Sequence, residues 1–164
     1  MKREAYIDLM SRIRSNQKLT DFIIWSNRLT TYVVYVIFIV FMAFLFITKN
    51  AAFTRILLTT AISFVIVSVF RKIYNRKRPY EIFDAESVIK KDKEGNSFPS
   101  RHVFSASVIA MACLYINIPL GVIMILISTC IAILRVVGGV HFISDVVVGA
   151  LVGIVSGIIG LYIM

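Results

Sequence analysis

The chain contains two histidines, and each stands in a run of residues suited to chemistry on an anion. In Arg135-Val-Val-Gly-Gly-Val-His141-Phe-Ile-Ser-Asp145 a carboxylate follows an imidazole by four positions. If a helix begins near His141, Asp145 lies on the same face. A carboxylate beside one ring nitrogen fixes the tautomer, raises the basicity of the ring and leaves the other nitrogen free to attack. Gly138 and Gly139 allow the backbone to bend between Arg135 and His141. The second run is Phe98-Pro99-Ser100-Arg101-His102. Pro99 stops a loop, and Ser100 is a suitable N-cap for a following helix. His102 then occupies the first helical turn, beside free backbone N–H groups and the positive end of the dipole. A histidine there can give a proton to a leaving oxygen.

A third run, Arg71-Lys-Ile-Tyr-Asn-Arg-Lys-Arg78-Pro79, is rich in cations. Guanidinium groups grip phosphate oxygens bidentately and stay charged at any working pH. Alone, such a run equally fits a basic loop at a membrane surface. With the two histidine runs it supplies cations, an acid, a nucleophile and an orienting carboxylate.

These runs must be positioned by apolar elements. The 164 residues are 59% hydrophobic and 16% charged, with a mean hydropathy of +0.85. A soluble domain is nearer half apolar and about a quarter charged. The excess apolar surface has to face lipid. Five segments approach the roughly 20 helical residues that a bilayer core needs: 29–48, 52–70, 102–118, 119–136 and 142–163. The fold class is therefore an all-α, polytopic membrane bundle of about five transmembrane helices. Asn117-Ile118-Pro119 joins the third and fourth as a tight hairpin. Small residues in the last span, from Gly149 through Gly160, permit close helix approach. Residues 1–28 form an interfacial segment, with Tyr6, Leu9, Met10 and Ile13 at helical spacing and Trp25 at headgroup depth. Residues 1–20 are too polar to supply the apolar core of a cleavable signal peptide. The polar stretch 71–101 is a long loop of the kind that usually carries function. Counting passes puts this loop on one membrane face with the 136–142 turn. All of residues 1–164 then make one membrane-embedded domain.

Net charge is +9, and the basic residues cluster between apolar runs, where they meet anionic headgroups or a phosphorylated substrate rather than nucleic acid. Cys113 and Cys130 sit inside apolar runs and read as small core hydrophobes. Glu81, Asp84 and Glu86 read as a solvated loop face. No carboxylate cluster suggests a metal.

Taken in order, Arg71 to Pro79, then Pro99-Ser100-Arg101-His102, then Arg135 through His141 to Asp145 resemble the three signatures of the type 2 phosphatidic acid phosphatase superfamily. The resemblance spans residues 71–145. Two departures stand out: Arg71 replaces the usual lysine, with Lys72 one place off register, and Arg101 stands where a glycine often separates serine from histidine. The resemblance implies that His141 attacks phosphorus to form a phosphohistidine, oriented by Asp145. It implies that His102 protonates the leaving lipid oxygen and later activates water. Arg71, Arg78, Ser100, Arg101 and Arg135 would hold the phosphoryl oxygens, with no metal and no cofactor. The expected function is hydrolysis of a lipid phosphate or isoprenoid (pyro)phosphate, with lipid phosphate and membrane lipids as partners. A lipid phosphotransferase using the same phosphohistidine, and a non-catalytic lipid-phosphate binding protein, are the alternatives. The expected location is the cell membrane. Lys2, Arg3, Arg12, Arg14, Lys18, Arg28, Lys72, Arg76, Lys77, Lys90, Lys91 and Lys93 share the catalytic face, against Lys49 and Arg55 on the other. The positive-inside rule puts that face in the cytoplasm, whereas the resemblance implies an outward face for many relatives.

Overall fold

The computed structural model describes residues 3–90 and 94–163, so Lys2, Lys91 and Lys93 of the basic set lie outside the described residues. The elements are α1 (Arg3–Arg14), α2 (Gln17–Ile47), α3 (Ala52–Tyr74), α4 (Pro79–Phe83), α5 (Arg101–Ile116), α6 (Ile118–Val137) and α7 (Ile143–Ile158), which ends in a π-helical turn over Ile159–Ile163. No strand occurs among the described residues. The protein is a multi-pass membrane helix bundle: α2, α3, α6 and α7 with its terminal turn are each long and apolar enough to cross a bilayer.

The expected third span, α5, has only 16 residues, about 24 Å against a hydrocarbon core of about 30 Å. Its position explains how it can be short. Val103, Phe104, Ala106, Ala112 and Cys113 are fully buried, because α5 runs through the centre of the bundle against α6 and α7. Gly149 and Gly153 make the α5–α7 approach possible. A Cβ on Gly149 would stand 2.7 Å from the Ser100 carbonyl, and one on Gly153 would stand 2.7 Å from that of Phe104. Asn117 caps α6, its Oδ1 accepting from the Leu120 N–H at 2.9 Å, which closes the expected hairpin.

The N-terminal region differs in detail from the expectation. α2 begins at Gln17, not 29, because Asn16 caps it through Oδ1 and the Leu19 N–H. At 31 residues it is about 46 Å long, more than a hydrocarbon core of about 30 Å, and Phe22 to Trp25 belong to this continuous helix. The amphipathic helix α1 is present, and Tyr6, Met10 and Ile13 form its apolar face as the spacing predicts. That face packs on the chain's own Val88, Ile89, Leu134 and Val140. The Tyr6 hydroxyl donates to the Gly139 carbonyl at 3.0 Å, and burial pushes its pKa to about 12. Gly139 has φ +78° and lies so close to Tyr6 and Met10 that a side chain there would collide with both. α1 thus braces the turn that carries His141.

Of the two cysteines, Cys113 is buried as expected, whereas Cys130 is exposed on α6. The apolar run read as core is here the outer face of a helix that meets lipid.

Candidate functional site

Asp145 occupies the third position of α7 and is fully buried. His141 precedes the helix instead of starting it: Phe142 is the N-cap, and its N–H donates to Asp145 Oδ2 at 3.0 Å. The turn still brings the pair together, with His141 Nδ1 and Asp145 Oδ2 3.3 Å apart. Two further donors reach the carboxylate. Ser97 Oγ donates to Oδ2 at 2.5 Å and lies 3.4 Å from His141 Nδ1. Arg76 Nη1 donates to Oδ1 at 2.8 Å and to Ser144 Oγ at 3.0 Å. An ionised carboxylate accepts all of these. Nδ1 of His141 then carries the ring proton, and Nε2 keeps the lone pair.

His141 is 1% exposed. Burial first, then the Arg78 and Arg135 charges, pull its pKa down to about 4 against the support of Asp145. The neutral imidazole is thus the resting form. Between about 6.5 and about 4 the unfolded chain binds more protons here than the folded one. Acidification through that window therefore destabilises the fold.

The loop between α3 and α5 is folded onto this pair. Arg71, in the last turn of α3, is buried and its guanidinium donates to the carbonyls of Asn96, Ser97 and Pro99. Lys72, one position on, is exposed. Arg78 is buried at the start of α4. Its Nε donates to Gly95 O at 3.0 Å and its Nη1 to Val140 O at 3.2 Å. Glu81 departs from the solvated role read for it: its Oε1 accepts from the N–H groups of Gly95 at 2.8 Å and Arg78 at 3.2 Å. Glu86 instead pairs with Arg14.

Arg71, Arg78, Arg101, His102 and His141 line one cavity of about 680 Å³. His102 is in the first turn of α5, as expected. Arg101 is exposed, its guanidinium 5.6 Å from the Phe64 ring centre. Ser100 precedes α5 but its side chain does not cap the helix. Its N–H donates to the Asp145 carbonyl at 2.8 Å, and its buried Oγ has no partner among the described residues. Arg135 lies in the last turn of α6, 3% exposed, and its Nε likewise has no partner among the described residues. It lines an adjoining cavity that shares His102 with the first.

The three signature runs therefore converge on one end of the bundle, in the order and spacing that the sequence sets. Comparison with protein families gives a match to the PAP2 superfamily over residues 52–164. The chain belongs to the PAP2 superfamily. Among solved structures it resembles Aquifex aeolicus LpxE at 26% identity with a TM-score of 0.75, covering 96% of this chain and 93% of that one. It also resembles a transmembrane PAP2-type phosphatidylglycerolphosphate phosphatase from Bacillus subtilis, at 22% identity and a TM-score of 0.70, covering 96% and 83%. The second likeness speaks to fold alone. No curated protein sequence matches. The PAP2 match begins at α3, so α1 and α2, which wall the adjoining cavity, lie outside it.

Two residues at the site went unread in the sequence. Ser97 had no signal beyond its nearness to Pro99, and Arg76 was one more cation in a basic run. Arg76 is set apart by its surroundings: besides the ion pair, its guanidinium lies 4.8 Å from the Phe142 ring centre and 5.7 Å from that of Phe98.

The depressed pKa of His141 is directly measurable. In His102→Gln protein labelled with ¹⁵N-histidine, the single remaining imidazole should titrate with a midpoint near 4 and stay neutral through pH 6. A midpoint at 6.5 or above would show that burial does not hold the ring neutral.

Proposed function

We propose that this protein is a membrane phosphatase that hydrolyses a lipid phosphate or isoprenoid (pyro)phosphate through a phosphohistidine, acting as a single membrane-embedded unit. The observation that carries this reading is the buried His141–Asp145 pair opening on a cavity lined by arginines. Its support is family membership and the likeness to LpxE.

Nε2 of His141 forms a bond to phosphorus as the ester or anhydride P–O bond breaks, and His102 gives its proton to the departing oxygen. Water then attacks phosphorus and gives a proton to His102, the P–N bond breaks, and inorganic phosphate leaves. Asp145 accepts from the Nδ1–H of His141 throughout and stabilises the positive charge that builds on the ring during attack. Arg71, Arg78 and Arg101, with Ser100 and with Arg135 from the adjoining cavity, hold the phosphoryl oxygens. Phosphoryl transfer is chiefly positioning and charge stabilisation, so guanidinium groups can take the place that divalent ions fill elsewhere. No metal or cofactor enters this scheme.

One phosphate-release assay in detergent micelles tests the scheme. Turnover should persist in excess EDTA without any added alcohol acceptor. Vanadate, which mimics pentacoordinate phosphorus, should block it. His141→Ala should abolish release, and Asp145→Asn should slow it severalfold or more. The double variant should be hardly worse than His141→Ala, because Asp145 acts through the histidine. Loss of turnover on chelation, restored by magnesium, would sink the metal-free scheme, and near-normal release by His141→Ala would sink the nucleophile.

Arg71 has two tasks, gripping phosphate and holding the 96–99 carbonyls. Its removal to alanine should cost about 2–4 kcal/mol of transition-state stabilisation. Arg71→Lys should restore only part, since an ammonium supplies charge without the fork that spans several acceptors. Lys72→Ala should be mild. An essential Lys72 beside a dispensable Arg71 would shift the phosphate site by one residue.

The site end of the bundle carries Arg12, Arg14, Lys18, Arg28 and Lys77, while Lys49 and Arg55 flank the opposite α2–α3 turn. The site therefore faces the cytoplasm on the positive-inside rule. A cysteine placed at Lys77 should resist a membrane-impermeant thiol reagent in intact cells and react after permeabilisation; labelling in intact cells would reverse the orientation.

A further inference from the structure

The two oxygens of Asp145 are held by different kinds of partner. Oδ2 meets Ser97 Oγ at 2.5 Å, the Phe142 N–H at 3.0 Å and His141 Nδ1 at 3.3 Å. Oδ1 meets a full positive charge, the Arg76 guanidinium at 2.8 Å. Arg76 and Ser97 also hold each other, since the Ser97 N–H donates to the Arg76 carbonyl at 2.9 Å. The rings of Phe142 and Phe98 flank the guanidinium and keep water from part of it, so its charge reaches the buried carboxylate with less screening. Arg76 lines neither of the two cavities at the site. Any effect it has on the substrate passes through Asp145.

The two halves of a phosphohistidine reaction make opposite demands on that carboxylate. During attack, a basic carboxylate helps, because it stabilises the cationic ring. Once phosphorus is bonded to Nε2, a carboxylate basic enough to take the Nδ1 proton would leave a neutral phosphoimidazole. Water would then have to expel an imidazolate, a poor leaving group. With the proton kept on Nδ1, water oxygen bonds to phosphorus, the P–Nε2 electron pair returns to a cationic ring, and a neutral imidazole departs. A cation at Oδ1 lowers the proton affinity of the carboxylate, which keeps the proton on the ring. Ser97 donates a hydrogen bond and brings no charge, so it places Asp145 without setting this balance.

We propose that Arg76 is a positioning residue for the second half of the reaction: through Asp145 it keeps the Nδ1 proton on the phosphorylated ring, so that water can release phosphate. The proposal rests on the phosphohistidine reading above. Removing the charge should therefore slow breakdown of the intermediate and spare its formation, whereas a residue that only holds the fold together would slow both.

The test uses ³²P-labelled phosphatidic acid or farnesyl phosphate in detergent micelles, whichever the wild type turns over faster. Alkaline quenching, which phosphohistidine survives, gives the rate at which label appears on the protein. A chase with unlabelled substrate gives the rate at which it is lost. Arg76→Gln keeps a donor for Oδ1 and removes the charge. It should slow loss of label by about tenfold or more while leaving its appearance little changed. Arg76→Lys restores a cation held by fewer bonds, and its label should decay faster than in Arg76→Gln but severalfold slower than in the wild type. Ser97→Ala, which removes only a neutral donor, should not slow loss relative to appearance. Equal slowing of both rates by Arg76→Gln, or no slowing of loss, would overturn the role of Arg76. Should the glutamine variant not fold, wild-type decay in Arg76→Lys would overturn it equally. Phosphate release from neither lipid, or unchanged release by His141→Ala, would overturn the phosphohistidine reading itself, and neither result depends on Arg76.

Discussion

Asp145 is a carboxylate with no exposed surface, placed where a membrane helix begins, and the polar end of the bundle is arranged around keeping it satisfied. Burying such a charge without partners is prohibitive. Here the donors come from three separate stretches: Arg76 and Ser97 at either end of the long loop, and Phe142 with His141 from the turn before α7. The same contacts that make the carboxylate tolerable therefore dock the loop and orient the imidazole. Removing the carboxylate would leave Arg76 and Ser97 without their common acceptor, so structure and chemistry depend on one residue.

The guanidinium groups complete this arrangement in the opposite sense. Arg71, Arg78 and Arg135 are all buried, and the ion pairs among the described residues join none of them to a carboxylate. Arg71 and Arg78 are held by backbone carbonyls, which satisfy donors without neutralising charge. The site is left with a surplus of positive charge in a partly dry environment. In the proposed scheme a bound phosphoryl group cancels that surplus, and the cancellation grows as negative charge spreads over its oxygens in the transition state. Loop carbonyls are suited to the purpose, since a permanent carboxylate partner would compete with substrate.

The parts of this architecture that follow local rules were legible in the sequence. The first-turn position of His102 after Pro99, the Asn117 hairpin and the apolar face of α1 follow from local stop signals, a cap and helix periodicity, whereas the four-residue spacing brings His141 to Asp145 through a turn before α7 and not along one helix face. The start of α2 was misplaced because Gln17 to Asp21 is polar, and hydropathy outweighed the Asn16 cap. Ser97, Arg76 and Glu81 could not be read, because their partners are set by how residues 75–100 fold back over the helix ends. Nothing local distinguishes Arg76 from Lys77. The difference is that one meets a buried carboxylate between two aromatic rings, and the other is exposed.

The role of the N-terminal region follows from the same logic. α1 and α2 precede the family match, yet Tyr6 bonds to the carbonyl of Gly139, two residues before His141. Gly139 must adopt positive φ to turn the chain out of α6, a conformation that is free for glycine and flexible when unsupported. A brace on that residue limits the motion of the histidine beyond it, which matters because phosphoryl transfer depends on alignment of attacking and leaving atoms. The region that braces the His141 turn is therefore also the region that walls the adjoining cavity. A change in α1 would reach the placement of His141, although no residue of α1 touches phosphorus in the proposed scheme.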